Sequence, residues 1–189
     1  MVNGIVKILN SKQQHPFIMS KSVNDIGKLM NNKLPTEKEV YKFISVSGGF
    51  SSVSFIKYVA DHENINELTA STLRVGDKQF DYLKKIKKIG KLNNARFFIG
   101  SVMKCDAKSR EGKYGCFNDF NNYCKENNWK TVYINNHSKI LLMKTDDNFY
   151  VLETSSNLNE NPKIEQYSFE NSKALYDFYY DFFTLLEKR

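Results

Sequence analysis

Residues 136–165 read NHSKILLMKTDDNFYVLETSSNLNENPKIE, and this stretch decides the fold. Two apolar runs, residues 137–143 and 149–153, flank an Asp-Asp-Asn turn at 146–148, which predicts a β-hairpin. Side chains two apart on a strand face the same way. His137 and Lys139 are therefore expected to share one face, with Ser138 pointing away. A Ser-Ser-Asn cluster, Ser155 to Asn157, follows the hairpin, and Glu165 comes after it.

These residue types suit chemistry at phosphorus. A neutral imidazole attacks phosphorus and forms a covalent phosphohistidine. An ammonium beside it stabilises charge on the equatorial oxygens. An amide and a hydroxyl hold the same oxygens without adding charge, and a carboxylate fixes the useful imidazole tautomer. Chemistry of this kind needs no metal and no cofactor, and the sequence offers no His/Asp cluster with metal-ligand spacing.

Upstream of the hairpin, strands and helices alternate. Residues 42–47 (KFISVS) read as a buried strand followed by Gly48-Gly49. Val53, Phe55, Ile56, Val59 and Ala60 have helical spacing over residues 51–62. A strand over 65–75 precedes a helix over 77–90, with Asp77 and Gly90 as candidate caps. A strand over 95–103, a polar loop over 105–115, a helix over 117–127 and a strand over 131–134 lead into the hairpin. The chain ends in an aromatic-rich helix over 172–188. Before these, residues 2–9 suit an edge strand and residues 23–31 a short helix. Such an order predicts a single α/β domain over residues 1–189, with 1–35 as a candidate N-terminal extension.

The order also explains a resemblance. Residues 136–165 resemble the HKD motif of the phospholipase D superfamily: His-x-Lys, then Asp, then Gly-Ser-x-Asn. His137 and Lys139 match the first positions, and Ser155, Ser156 and Asn157 match the last. Thr154-Ser155 stands where many members have Gly-Ser. The motif's Asp has no counterpart near Lys144, with Asp146 and Asp147 as shifted substitutes. The spacing from Lys139 to Asn157 resembles the nuclease branch, whose following Glu is matched by Glu165, with Glu153 and Glu170 as competitors.

The resemblance implies an α/β fold with a mixed, mostly parallel sheet flanked by helices on both faces. It implies that His137 is the nucleophile, that Lys139, Asn157 and Ser155 bind phosphate, and that Glu165 orients His137. Members of this family use two His-Lys motifs per site, and this chain carries one. His15 and His62 are followed two positions on by Phe17 and Asn64. A symmetric homodimer joining both His137 residues is therefore expected.

The net charge of +7 and pI near 9.1 favour an anionic partner, DNA or RNA, and equally suit a Lys- and Asn-rich proteome. Lys84, Lys87, Lys88 and Lys91 share a helix face, either a phosphate track or a solvated helix end. Leu175, Phe178, Tyr179, Phe182, Leu185 and Leu186 stripe the last helix, either for the core or for a partner. The three cysteines, Cys105, Cys116 and Cys124, read as free thiols, with a Cys105–Cys116 bridge as the alternative. No signal peptide or membrane-spanning segment is visible, so a soluble cytoplasmic protein without a membrane partner is expected. The combined expectation is a metal-independent nuclease, with a separate protein partner a candidate source of sequence specificity. The alternative is a catalytically weak nucleic-acid-binding or inhibitory protein on the same fold, in mobile-element biology or counter-defence.

Overall fold

A computed structural model describes residues 17–20, 26–37, 39–45, 51–104, 116–159 and 163–188. The strands are β1 (Phe17–Ser20), β2 (Val40–Ser45), β3 (Ile65–Thr72), β4 (Leu92–Gly100), β5 (Lys130–Ile134), β6 (Ile140–Lys144), β7 (Phe149–Thr154) and β8 (Glu165–Asn171). The helices are α1 (Ile26–Leu29), α2 (Ser52–His62), α3 (Asp77–Lys88), α4 (Cys116–Glu126) and α5 (Lys173–Glu187). All eight strands join one sheet, in the order β1-β2-β8-β7-β6-β3-β4-β5.

The fold class is α/β as expected, but the sheet is not mostly parallel. Three pairings are parallel (β1–β2, β3–β4 and β4–β5), and four are antiparallel. Two of the parallel pairings, β3–β4 and β4–β5, follow from the helical crossovers α3 and α4. The antiparallel part follows from the tight turn at 146–148 and from β8, which inserts between β2 and β7. No strand was expected at β8, because EQYSFEN is polar at every second position. Tyr167, Phe169 and Asn171 are nevertheless buried on one face.

Strand alternation divides the core. Leu68, Ala70, Phe97, Ile99, Leu141 and Met143 face α2, α3 and α4, where they meet Phe55, Val59, Leu83 and Phe120. Phe98, Leu142 and Val151 face α5 and meet Tyr176 and Phe183. Helices thus lie on both faces. Arg96, 7% exposed, fastens α5 to the sheet. Its Nε donates to Thr69 Oγ1 at 2.7 Å, its Nη1 donates to Thr184 Oγ1 at 3.1 Å, and its guanidinium lies 4.0 Å from the Tyr180 ring. The stripe on α5 splits: Leu175, Tyr179 and Leu186 pack against the sheet, while Phe178, Phe182 and Leu185 are exposed.

Local signals place the helices well. Gly90 has φ +74°, the left-handed conformation that stops α3. Ser172 caps α5 by accepting from Leu175 N at 3.3 Å. The residue flanking α3 is Gly76, with Asp77 inside the first turn rather than at the cap. Cys116 and Cys124 are free, buried thiols. The expected strand over 2–9, the Gly48-Gly49 turn, the 105–115 loop and Cys105 lie outside the described residues. Among the described residues, no helix is long and apolar enough to cross a membrane.

Leu142 is fully buried between sheet and α5, and Phe182 is about half exposed. Leu142→Ala is expected to cost about 2–5 kcal/mol of folding stability. Phe182→Ala should cost less, because half of its side chain already lies outside the core of the chain. Urea midpoints of the two variants check the difference.

Candidate active site

Both segments of the predicted site converge on the carboxyl end of β3. Ser71 and Thr72 are buried hydroxyls at that end. Ser71 Oγ lies 2.5 Å from Ser138 Oγ and accepts from Asn136 Nδ2 at 2.9 Å. Thr72 Oγ1 accepts from Leu158 N at 3.0 Å, and Leu73 N donates to Asn157 Oδ1 at 3.1 Å. The first pair of contacts places the His137 turn, and the second places the Ser-Ser-Asn turn.

His137 and Lys139 do come together, though not by strand alternation. β6 begins at Ile140, so both residues lie in the irregular segment before it. Asn136 is the reason. Its Oδ1 accepts from Ser138 N at 2.9 Å and Ser138 Oγ at 2.8 Å, and its Nδ2 donates to Phe98 O at 2.8 Å. The amide therefore takes Ser138 into a local turn and ties that turn to β4. Ser138, itself exposed, sets its hydroxyl against Ser71, and the curled chain brings Lys139 Nζ to 2.9 Å from His137 Nδ1 and 2.5 Å from His137 O. His137 is exposed and Lys139 half-buried. Gly100 closes the site from β4: a Cβ there would sit 2.9 Å from Leu73 O and 3.0 Å from Asn136 O.

The other predicted residues gather beside this pair. Thr154 N donates to Lys139 O at 3.1 Å, joining the end of β7 to the turn. Ser155 Oγ donates to the buried carboxylate of Glu165, and Gln166 N donates to Ser155 Oγ at 3.0 Å. Burial pushes the Lys139 ammonium below the ordinary lysine range, and the negative charge of Glu165 opposes that shift. Glu165 thus sits with Ser155 and acts on Lys139. Glu153 and Glu170 lie on the other strand alternation, and Glu153 accepts from Tyr179 OH of α5. Asn157 has its Oδ1 committed to Leu73 N, which turns Nδ2, the donor, the other way. Ser52, at the start of α2, donates to Ser156 O at 2.7 Å and fixes this turn from the helix side.

Asp146 and Asp147, the shifted candidates for the motif's Asp, lie just beyond the end of β6. They are exposed at the hairpin turn, and Asp146 Oδ1 accepts from Asn66 Nδ2 at 2.7 Å. The whole of β6, about 17 Å at 3.4 Å per residue, separates them from Lys139. The lysine cluster also lies away from the site. α3 starts beside Leu158 and carries its lysines to the opposite sheet end, about 18 Å on. There Lys84 pairs with Asp81 at 2.7 Å and Lys87 donates to Asn93 O at 2.7 Å. Sequence reading missed Asn136, Ser71 and Thr72. The available signal was two hydroxyl residues, Ser71-Thr72, ending an apolar parallel strand, where α/β sheets place their ligand sites.

No protein-family model and no curated protein matches this chain. Solved structures do resemble it. Polyphosphate kinase from Porphyromonas gingivalis aligns over 79% of this chain with TM-score 0.58 and 15% identity, and this chain spans only 26% of that one. Nuc from Salmonella typhimurium, a phospholipase D family member, aligns over 77% of this chain and 91% of its own, with TM-score 0.51 and 15% identity. TrmBL2, an archaeal chromatin protein, aligns over 87% of this chain and 58% of its own, with TM-score 0.50 and 14% identity. These likenesses establish a phospholipase D-like fold.

Two outcomes follow from the geometry. Asn136→Ala strands Phe98 O and frees the Ser138 turn. It should cost about 1–3 kcal/mol in chemical denaturation, the range for a buried partner left unsatisfied. Glu165→Gln removes the charge that supports the Lys139 ammonium, so Lys139 should titrate at lower pH than in the wild type, as followed by NMR of labelled lysine. The sign for stability is set by the lowered folded-state pKa. The charged ammonium opposes folding in full below that pKa, and the penalty is relieved as pH rises toward 10.5.

Proposed function

We propose that this phospholipase D-like domain is a phosphodiesterase that cleaves nucleic acid through a phosphohistidine, with its site completed by a second copy of the chain. The observation that carries the reading is the His137–Lys139 contact, held beside Ser155 and Glu165 at the carboxyl end of β3. Lys139 and Asn157 Nδ2 hold the phosphate oxygens, and Ser155 assists. In the resting site, a neutral ring that accepts at Nδ1 carries its proton on Nε2. When a phosphate draws Lys139 away, Nδ1 is released to take the ring proton. Glu165 is the carboxylate that accepts from it, and Nε2 is the nucleophile.

In the first step, the Nε2 lone pair forms a bond to phosphorus and the bond from phosphorus to the leaving oxygen breaks. The second copy's His137, as imidazolium, gives its proton to that oxygen. Water then attacks phosphorus as the bond from phosphorus to Nε2 breaks, and its proton goes to the second copy's imidazole, which restores both rings. Phe178, Phe182 and Leu185, exposed on α5, give two copies an apolar surface to bury. The similarity to Nuc, a phospholipase D family member, and the net charge of +7 support this reading over one built on a neutral substrate.

A second reading has its own support. TrmBL2 is described as a chromatin protein with a novel mode of DNA binding, and the motif's Asp is missing here. A nucleic-acid-binding domain with little catalysis fits both facts. One experiment separates the readings. Cleavage of single- and double-stranded DNA and RNA in excess EDTA should be abolished by His137→Ala while binding persists. Sedimentation should give twice the 22.0 kDa chain mass. Binding without cleavage by a verified dimer favours the second reading.

A further inference from the structure

The sheet face that carries α5 continues past that helix into a polar cleft. Ile140, Glu153, Ser168 and Lys42 form one row across β6, β7, β8 and β2, each opposite the next in register. A row of this kind points to a single side of the sheet. Glu153 receives Tyr179 OH of α5, so the row lies on α5's side. The core under α5 is built on Phe98, Leu142 and Val151, and the row runs on beyond it to Ser168 and Lys42. There the surface dips into a cleft of about 440 Å³, bounded by Ile140 on β6 with Lys139 in the turn just before it, and by Lys42 and Ile44 on β2. Three strand spacings separate its rims, about 14 Å at 4.8 Å each.

Lys42 is built like a ligand anchor. It is half-buried, and its ammonium donates to the neutral Ser168 Oγ at 2.5 Å. Among the described residues, it forms no ion pair. An ammonium has three donors, so two remain for an anion. Glu153, fixed by Tyr179, puts a negative charge between the two lysines. A phosphate is therefore repelled from the middle of the cleft and attracted to either rim. Gln166 and Ile140 supply an amide and an apolar surface along the way.

We propose that this cleft is the binding track for a single nucleic-acid strand, with Lys42 holding a backbone phosphate that flanks the one on Lys139. This rests on the nucleic-acid reading above and narrows it to single strands. Rims about 14 Å apart lie beyond the reach of adjacent phosphates, so phosphates at the two rims leave two nucleotides over Glu153, Gln166 and Ile140. A narrow groove with spaced cations tracks one backbone. A duplex, stiff and broader than the groove, meets only the outer rim.

The test is fluorescence anisotropy of a labelled single-stranded oligonucleotide in EDTA, over a range of salt, beside the duplex of the same sequence. Lys42→Ala should weaken single-strand binding on the order of tenfold, as for one charge-assisted hydrogen bond. It should also reduce the slope of log affinity against log salt by about 0.7, one phosphate contact on a single strand. Lys42→Arg should recover most of both. The duplex should bind more weakly than the single strand, and Lys42→Ala should move it less. An unchanged single-strand affinity and slope in Lys42→Ala would overturn the track while leaving wild-type cleavage standing. Equal losses on duplex and single strand would overturn it too. Wild-type protein that binds neither would instead bring down the nucleic-acid reading, and the track with it.

Discussion

The carboxyl end of β3 is the fixed point of this molecule. A strand that stops in the interior leaves hydroxyl and backbone groups that water does not reach, and they must find partners in the protein. At this end most partners come from the two segments of the candidate site, while Thr72 Oγ1 also donates to Arg74 O. Ser71 takes Asn136 and Ser138, Thr72 takes Leu158 N, and Leu73 N takes Asn157. The His137 turn and the Ser155–Asn157 turn are thus held to the same strand end rather than to each other. Satisfying buried polar groups and assembling the site are here one event. A change at Ser71 therefore perturbs the His137 turn, and a change at Thr72 the Ser155–Asn157 turn.

Much of the fold was legible because it follows local rules. The α3 stop at Gly90, the β6–β7 turn and the 3.6-residue periodicity of α2 and α5 depend on neighbours in sequence. What was not legible depends on neighbours in space. β8 carries Gln166, Ser168 and Glu170 on one face, and only its position between β2 and β7 makes it a central strand. Missing it also hid half of the antiparallel pairings, β2–β8 and β7–β8, and made the sheet look mostly parallel. The closeness of His137 and Lys139 was expected from strand alternation, whereas a side-chain amide delivers it. Alternation holds only while the ladder holds, and sequence does not show that Asn136 captures Ser138 N before β6 begins.

Charge tells a similar story. Lysines at 84, 87, 88 and 91 stand out because helix neighbours are also close in sequence. In space they sit at the far sheet end, where Lys84 meets Asp81 and Lys87 meets a backbone carbonyl. Lys42 and Lys139 do not stand out, since almost a hundred residues separate them. Yet the sheet order brings β2 and β6 within three strands of each other and puts both lysines on one cleft. Total charge therefore locates no site, and only topology shows which lysines share a cleft.

Lys139 is the residue on which electrostatics and chemistry meet. Burial makes its ammonium costly and Glu165 offsets part of that cost. The ammonium spends its donors on His137 Nδ1 and His137 O, two neutral acceptors. A phosphate oxygen carries a negative charge, so it attracts the ammonium more strongly than either neutral acceptor does. On the proposed chemistry, substrate therefore wins Lys139 from His137. The same exchange neutralises the phosphate and returns Nδ1 to proton acceptance. The resting contact then works as a latch: it holds the imidazole in the tautomer that cannot attack through Nε2 until a phosphate arrives to take the lysine. Such a latch needs the lysine and histidine close enough to bond and free enough to part. An irregular turn, anchored at Asn136 and Thr154 but exposed at His137, provides both conditions where a rigid strand would not.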